Sequence, residues 1–441
     1  MNQKEKLLRE RRDFYRRTLL KEILPYWLNK IDRENGGFYT CYNVFGDQLI
    51  SKDKYVWSQG RCVWLYAKLA LAFCLKMTEE VRDICRERAL WGCDFLERYC
   101  LIENQGAAYV LNEWNEPYRT GPERELCASS FSDCFVAMGI GAAGMLSQDG
   151  VRVRKAVKLL EQVTEKLKNH EFRTAPDVLP KGWNSQAPYM ILINTAQEIA
   201  QACHAVGLKP EERLCREICR YGVDMEKRYF MVGDRFLYEC LDENFQAMES
   251  LYGRHIHPGH TIECMWFLIR ASRYFAFEGI EENAWKIIKS MDAIAWDREY
   301  GGMFYYLDKE GKTPHGEFWE SEKTLADGVL RDWQNKMWWP QLEAMYANLL
   351  GYLYYGDEEG FAEYEKYHQY AFHTFPHPDP EVGEWIQIRD RQGNPRMGEV
   401  GGRLPVKDPF HLMRTLLFLV ESIDESMKIE EPFQVRETIE K

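Results

Sequence analysis

Helical periodicity runs through this chain from end to end, and its segments come in pairs. Turn signals divide the pattern into about twelve candidate helices, near 4–30, 57–76, 79–101, 127–147, 150–171, 187–206, 210–229, 259–276, 280–296, 334–354, 358–375 and 407–425. Several starts carry helix-capping chemistry: Thr78 precedes Glu79-Glu80, Ser129 and Ser130 precede Phe131, Lys209-Pro210 precedes Glu211-Glu212, and Asp408-Pro409 introduces the last segment. Between pairs lie short extended stretches at 36–41, 107–112, 235–239, 301–306 and 383–387, which read as strands or hairpins. Two have nearly the same lead, Asp32-Arg33-Glu34-Asn35-Gly36-Gly37 and Asp297-Arg298-Glu299-Tyr300-Gly301-Gly302.

A helix pair with a hairpin, recurring every ~60 to 75 residues, cannot bury its apolar face alone and needs neighbours on both sides. Six such pairs predict an all-α chain, a single (α/α)6 barrel over residues 1–441 with short β-hairpins in its loops and inner helices around a central pocket. The alternative is an open helical solenoid that binds a protein; irregular, aromatic-rich loops argue against it. No Gly/Ser/Pro-rich linker divides the chain. The stretch 172–187, with Pro176, Pro180, Gly182 and Trp183, reads as an ordered loop over the pocket.

Charge narrows the function classes. With 57 Lys+Arg against 69 Asp+Glu, a net charge of -12, no broad footprint for nucleic acid or an anionic membrane is expected. The stretch Met1 to Arg17 is densely charged without an apolar signal core, and no apolar run reads as a membrane span, so a cytoplasmic location is expected. The 13 cysteines lack paired CxxC spacing and are expected to be reduced and buried.

The segment Arg254-His255-Ile256-His257-Pro258-Gly259-His260-Thr261-Ile262-Glu263 places three histidines, a turn dipeptide and a carboxylate at the start of an apolar helix. His260 and Glu263, three residues apart, share one face of its first turn, so a carboxylate there can fix the imidazole tautomer or raise its basicity. Comparable polar groups begin other inner helices: Trp57 to Trp64 with Arg61, Phe131-Ser132-Asp133-Cys134-Phe135, Pro188 to Asn194, Lys336 to Glu343 with Trp339, and Lys407 to Arg414 with His411. Buried polar groups need partners, and convergence on one wet cavity would supply them. Two other readings compete. Imidazoles at 255, 257 and 260 with Glu263 could ligate zinc, although the spacing is not that of a helical metal motif. Arg61 and Arg414 could be ion-pair partners of Asp133 or Glu343. Gly311-Lys312-Thr313 lacks the earlier glycine of a phosphate loop, where Tyr306 stands instead.

Taken together, Trp57 to Trp64, Phe131 to Phe135, Pro258 to Glu263, Trp338 to Ala344 and Phe410 to Arg414 resemble the N-acylglucosamine 2-epimerase family, which includes cellobiose 2-epimerases and some aldose–ketose isomerases. The resemblance implies a sugar 2-epimerase that removes and replaces the C2 proton of an open-chain aldose, with His260 and His411 as the acid/base pair. It implies substrate contacts from Arg61, Asn194, Glu263, Trp339, Glu343, Trp385 and Arg414. No metal and no cofactor are implied for the chemistry. ATP as an activator, a small-molecule sugar as the partner and a homodimer are compatible with it. The run Met190 to Glu198 carries no histidine, closer to the N-acylglucosamine pattern than to the cellobiose or mannose type. Two departures bear on the substrate: Asp332-Trp333 stands where the family more often has Glu-Trp, and Gly401 to Pro405 precedes Lys407.

Overall fold

The computed structural model describes residues 3–120, 124–396, 406–407 and 409–428; Asp408 and the 401–405 segment lie outside them. Each of the twelve expected segments contains a long helix. The first runs through Gln3–Arg17, a π turn Thr18–Ile23 and Leu24–Leu28. Six helices form the inner wall: Val56–Leu71, Ser130–Ser147, Ala187–Ala205, Pro258–Phe275, Trp338–Tyr355 and Phe410–Lys428. They touch in that order, and the sixth touches the first, so the ring is closed and the solenoid reading falls. Glu79–Phe95, Gly150–Lys168, Lys209–Met225, Glu281–Ala295 and Glu358–Thr374 each pack outside the inner helix that precedes them. The outer partner of the sixth inner helix is Gln3–Arg17, from the front of the chain. This is an (α/α)6 barrel.

Inner and outer helices differ as their positions require. Gly150–Lys168 is amphipathic: Val153, Ala156, Val157, Leu160, Val163 and Leu167 form its buried stripe, and the Asp149 carboxylate caps it by accepting from Val151 N at 2.9 Å. Ser130–Ser147 is buried over 78% of its length. It is long and apolar enough to span a membrane by composition, contrary to the expectation that no run is, and the ring accounts for that character by covering it on both sides. Gly60 allows the close approach of the first two inner helices, because a Cβ there would lie 2.3 Å from the Phe135 carbonyl oxygen.

The repeated glycine leads build the same latch twice. Asp32 accepts from the amides of Glu34 and Asn35 and binds buried Lys54 at 2.8 Å; Asp297 accepts from Glu299 and Tyr300 and binds buried Lys336 at 3.1 Å. Five residues beyond each lysine a glutamine amide grips the loop: Gln59 holds both backbone groups of Phe38, and Gln341 those of Met303. Each latch fixes the entry to an inner helix.

Strand pairing corrects the simple hairpin expectation. Leu101–Ile102 with Gly106–Ala107, and Met231–Val232 with Phe236–Leu237, are local hairpins. The other ribbons join one repeat to the next: Lys54–Tyr55 pairs with Val110–Leu111, Asn184–Ser185 with Cys240–Leu241, His255–Ile256 with Leu307–Asp308, and Lys336–Met337 with Ile388–Arg389. In each, the first strand leads directly into an inner helix, so the ribbons form a collar at the N-terminal mouth of the barrel. Helix Lys323–Asp332 was not expected. It buries Leu325, Ala326 and Val329, and Leu251 of the one-turn helix Leu251–Arg254 joins Ala326 and Val329 in one cluster. All 13 cysteines are free thiols.

Candidate active site

A cavity of about 360 Å³ opens at the end where the inner helices begin. Arg61, Met190, His260, Glu263, Trp339, His411 and Arg414 reach its wall, most from the first two turns of their helices. Helix N-termini carry partial positive charge, so their convergence here favours a negative charge developing in the cavity. The 172–187 loop supplies wall residues from Thr174 to Leu179, as the sequence suggested.

Two imidazoles lie against one indole. Trp339 lies 5.2 Å by ring centroid from His260 and 5.2 Å from His411, tilted by 33° and 35°. Each histidine has its own carboxylate. His260 Nδ1 is 3.2 Å from Glu239 Oε2, and His411 Nδ1 is 2.7 Å from Glu343 Oε1. A carboxylate accepts, so these contacts assign the proton to Nδ1 and leave each Nε2 with a lone pair. Burial works to lower the pKa of His260, but the charge and hydrogen bond of Glu239, helped by Glu263 and Asp177, overcome it and raise the pKa.

The carboxylate expected to serve His260 is therefore replaced. Glu263 reaches the cavity but is engaged by Arg414, whose Nη2 donates to Glu263 at 2.7 Å and to fully buried Glu343 at 2.6 Å. Trp266 Nε1 donates to the other Glu343 oxygen at 2.9 Å. Glu263, Glu343 and His411 lie close enough to hold a metal, but the Arg414 guanidinium sits between the two carboxylates and supplies the positive charge there. Among the described residues the imidazoles of the 255–260 segment form no three-ligand cluster with Glu263, which the zinc reading requires. His255 Nδ1 is bonded to the Tyr252 carbonyl, and His257 Nδ1 accepts from the amide of His260.

Other expected contacts fall elsewhere. Glu343 is fully buried behind the wall, bonded to His411 and Arg414, and does not line the cavity. Trp385 is core: it stacks on Phe375 at 6.0 Å and 11°, and does not line the cavity. Asn194 is also off the wall, buried deeper in the third inner helix with its amide near the Met138 sulfur. Asp133 pairs with Lys166, not Arg61, whose guanidinium lies over the rings of Phe135 at 4.1 Å and Phe410 at 4.9 Å. Asp332, the shorter carboxylate of the Asp-Trp pair, is bonded by Arg331 and Asn335 and does not line the cavity. Glu239 was missed because it follows a short strand 21 residues before its histidine, a distance with no periodic signal.

Glu239→Gln keeps the side-chain shape while removing the charge. It is expected to lower the His260 pKa, read by NMR titration of the imidazole. An unchanged midpoint would show that Glu239 does not set His260's protonation.

Proton transfer at carbon between two such imidazoles is isomerase chemistry, and comparison with known proteins makes the class specific: the chain is a carbohydrate epimerase. The family model described as N-acylglucosamine 2-epimerase matches residues 37–413, and the chain belongs to that family. It is 28% identical to the N-acylglucosamine 2-epimerase of Bos taurus over 433 residues, 96% of this chain and 94% of the relative. To the cellobiose 2-epimerase of Bacteroides fragilis it is 23% identical, over 77% of this chain and 82% of the other. The structure of cellobiose 2-epimerase from Spirochaeta thermophila superimposes with a TM-score of 0.76 at 17% identity, covering 97% of this chain and all of that one, and shares the fold.

Proposed function

We propose that this enzyme interconverts N-acyl-D-glucosamine and N-acyl-D-mannosamine, with His260 and His411 serving opposite faces of C2. The observation that carries the reading is the pair of carboxylate-backed imidazoles lying against Trp339 on one cavity. In the open-chain sugar the C2 proton is acidified by the neighbouring aldehyde. One Nε2 takes that proton, the C2–H electron pair becomes the C1–C2 π bond, and the carbonyl pair moves onto the C1 oxygen to give an enolate whose C2 carries the acylamino group. The other imidazole, protonated, returns a proton to the opposite face. Arg61 at the cavity wall and the converging helix N-termini stabilise the oxyanion as it forms.

The acyl group is favoured by an apolar wall section that includes Met190, Ile191 and Phe267, with no histidine on that stretch of the third inner helix. Proton transfer between side chains needs no bound cofactor. ATP as an activator, assembly as a homodimer and a cytoplasmic location belong to this reading as finer expectations. The 13 free thiols agree with the last.

The test is incubation in D2O with N-acetylmannosamine or N-acetylglucosamine, with and without ATP, followed by NMR at C2. Deuterium at C2 together with the opposite epimer is the expected result. A ketose product, or turnover of cellobiose or mannose alone, would overturn the substrate assignment.

A further inference from the structure

His257 is a third imidazole at the cavity wall, and the two-histidine mechanism gives it no task. It is 3% exposed and occupies the N-cap of the fourth inner helix, where Nδ1 accepts from the backbone N–H of His260 at 3.4 Å. That contact assigns the ring proton to Nε2. Among the described residues Nε2 has no hydrogen-bond partner, a costly arrangement for a buried N–H. The ring stacks on His260 at 4.1 Å and 24°, and is otherwise walled by Trp339, Tyr305 and Tyr306.

The geometry points to His257 as a further catalytic residue, whose Nε2–H donates to the C1 oxygen of the open-chain sugar as the enolate forms. This inference rests on the C2 chemistry proposed above. The two ring centroids are 4.1 Å apart, so when C2 lies at the Nε2 of His260, the carbonyl one bond away comes within the span of the neighbouring ring. As the C2 proton leaves for an acid/base histidine, electron density passes through C1–C2 to this oxygen, and the donor keeps its own proton throughout. Burial and the adjacent His260 and His255 push the His257 pKa well down, so the ring stays uncharged and donates as imidazole. An uncharged imidazole at a helix N-terminus is an effective electrophile toward a carbonyl, because it polarises the oxygen without surrendering its proton.

Two substitutions separate the roles of the two ring nitrogens. His257→Asn keeps an acceptor near the position of Nδ1 for the helix cap but removes the Nε2 donor. His257→Gln places an amide N–H near the position of Nε2. For His257→Asn, kcat for C2 exchange is expected to fall by about 10² to 10³-fold with KM changed only a few-fold and the melting temperature near that of the parent. His257→Gln is expected to regain at least about tenfold of that loss, a rescue that a purely structural cap would not produce. Parent-like kcat in His257→Asn, or equal loss in both variants, overturns the inference while leaving the C2 reading intact. Absence of C2 exchange by the parent with any aldose overturns that reading, and this inference with it.

Discussion

His411→Ala is expected to leave a folded protein that no longer epimerises its sugar. Glu343 keeps Arg414 and Trp266 as partners when the imidazole is gone, so no carboxylate is stranded in the core. In His260→Ala, Glu239 likewise keeps Gln186. Loss of a positioned acid/base group lowers the rate by roughly 10² to 10⁴-fold. A two-base mechanism adds a sharper expectation. Each variant retains one base, so it exchanges the C2 proton of one epimer with solvent while failing to invert it, and the two variants favour opposite epimers. Deuterium incorporation measured separately for each epimer reads this pattern. Normal inversion by either variant would remove that histidine from the mechanism.

Arg414→Ala is expected to destabilise the fold by about 3–5 kcal/mol, the range for breaking a buried ion pair from one side. The guanidinium is 2% exposed and joins two carboxylates from different inner helices, Glu263 and Glu343, while lying over the Phe410 ring at 4.6 Å. Burial acts to raise the Glu343 pKa, but Arg414 and His411 overcome it and hold the pKa below its usual value. In the parent that stabilisation is present above the unfolded-state pKa and is lost as pH falls through the folded one. Without Arg414 burial dominates, the folded pKa rises, and the variant is penalised above the unfolded-state value and relieved as the acid is protonated. The gap between parent and variant in urea unfolding should therefore narrow from pH 8 to pH 5. A gap under about 1 kcal/mol, unchanged with pH, would place the pair among interactions with little net worth.

Local signals carried most of the fold. Periodicity and caps are written in neighbouring residues, so all twelve barrel helices were legible, and the repeated Asp-Arg-Glu lead marked the latches before their lysines could be located. Helix Lys323–Asp332 escaped because its apolar set, Leu325, Ala326 and Val329, is too short to establish a period and is buried against a distant segment. The candidate site divided along the same line. His260, His411, Arg61 and Arg414 stand near inner-helix starts and are marked by their setting. Which carboxylate meets which imidazole depends on contacts between repeats. Glu263 was three residues from His260 in sequence, yet Arg414 holds it from a residue 151 positions away, and Glu239 takes its place. Trp385 packs in the core, a place its sequence does not reveal because an aromatic ring in a core and one at a sugar wall have the same sequence signature.

The seam between the two ends of the chain bears on how the molecule is made. The sixth inner helix carries His411 and Arg414, and its outer cover is Gln3–Arg17, the earliest of the described helices. That pairing has a very large sequence separation, so ring closure is a high-contact-order event that waits for synthesis of the last described helix. Until then the nascent polypeptide holds an open arc with apolar flanks at both edges, a species prone to aggregation and suited to chaperone protection. Docking of the sixth inner helix both completes the cavity wall, with His411 and Arg414, and closes the seam.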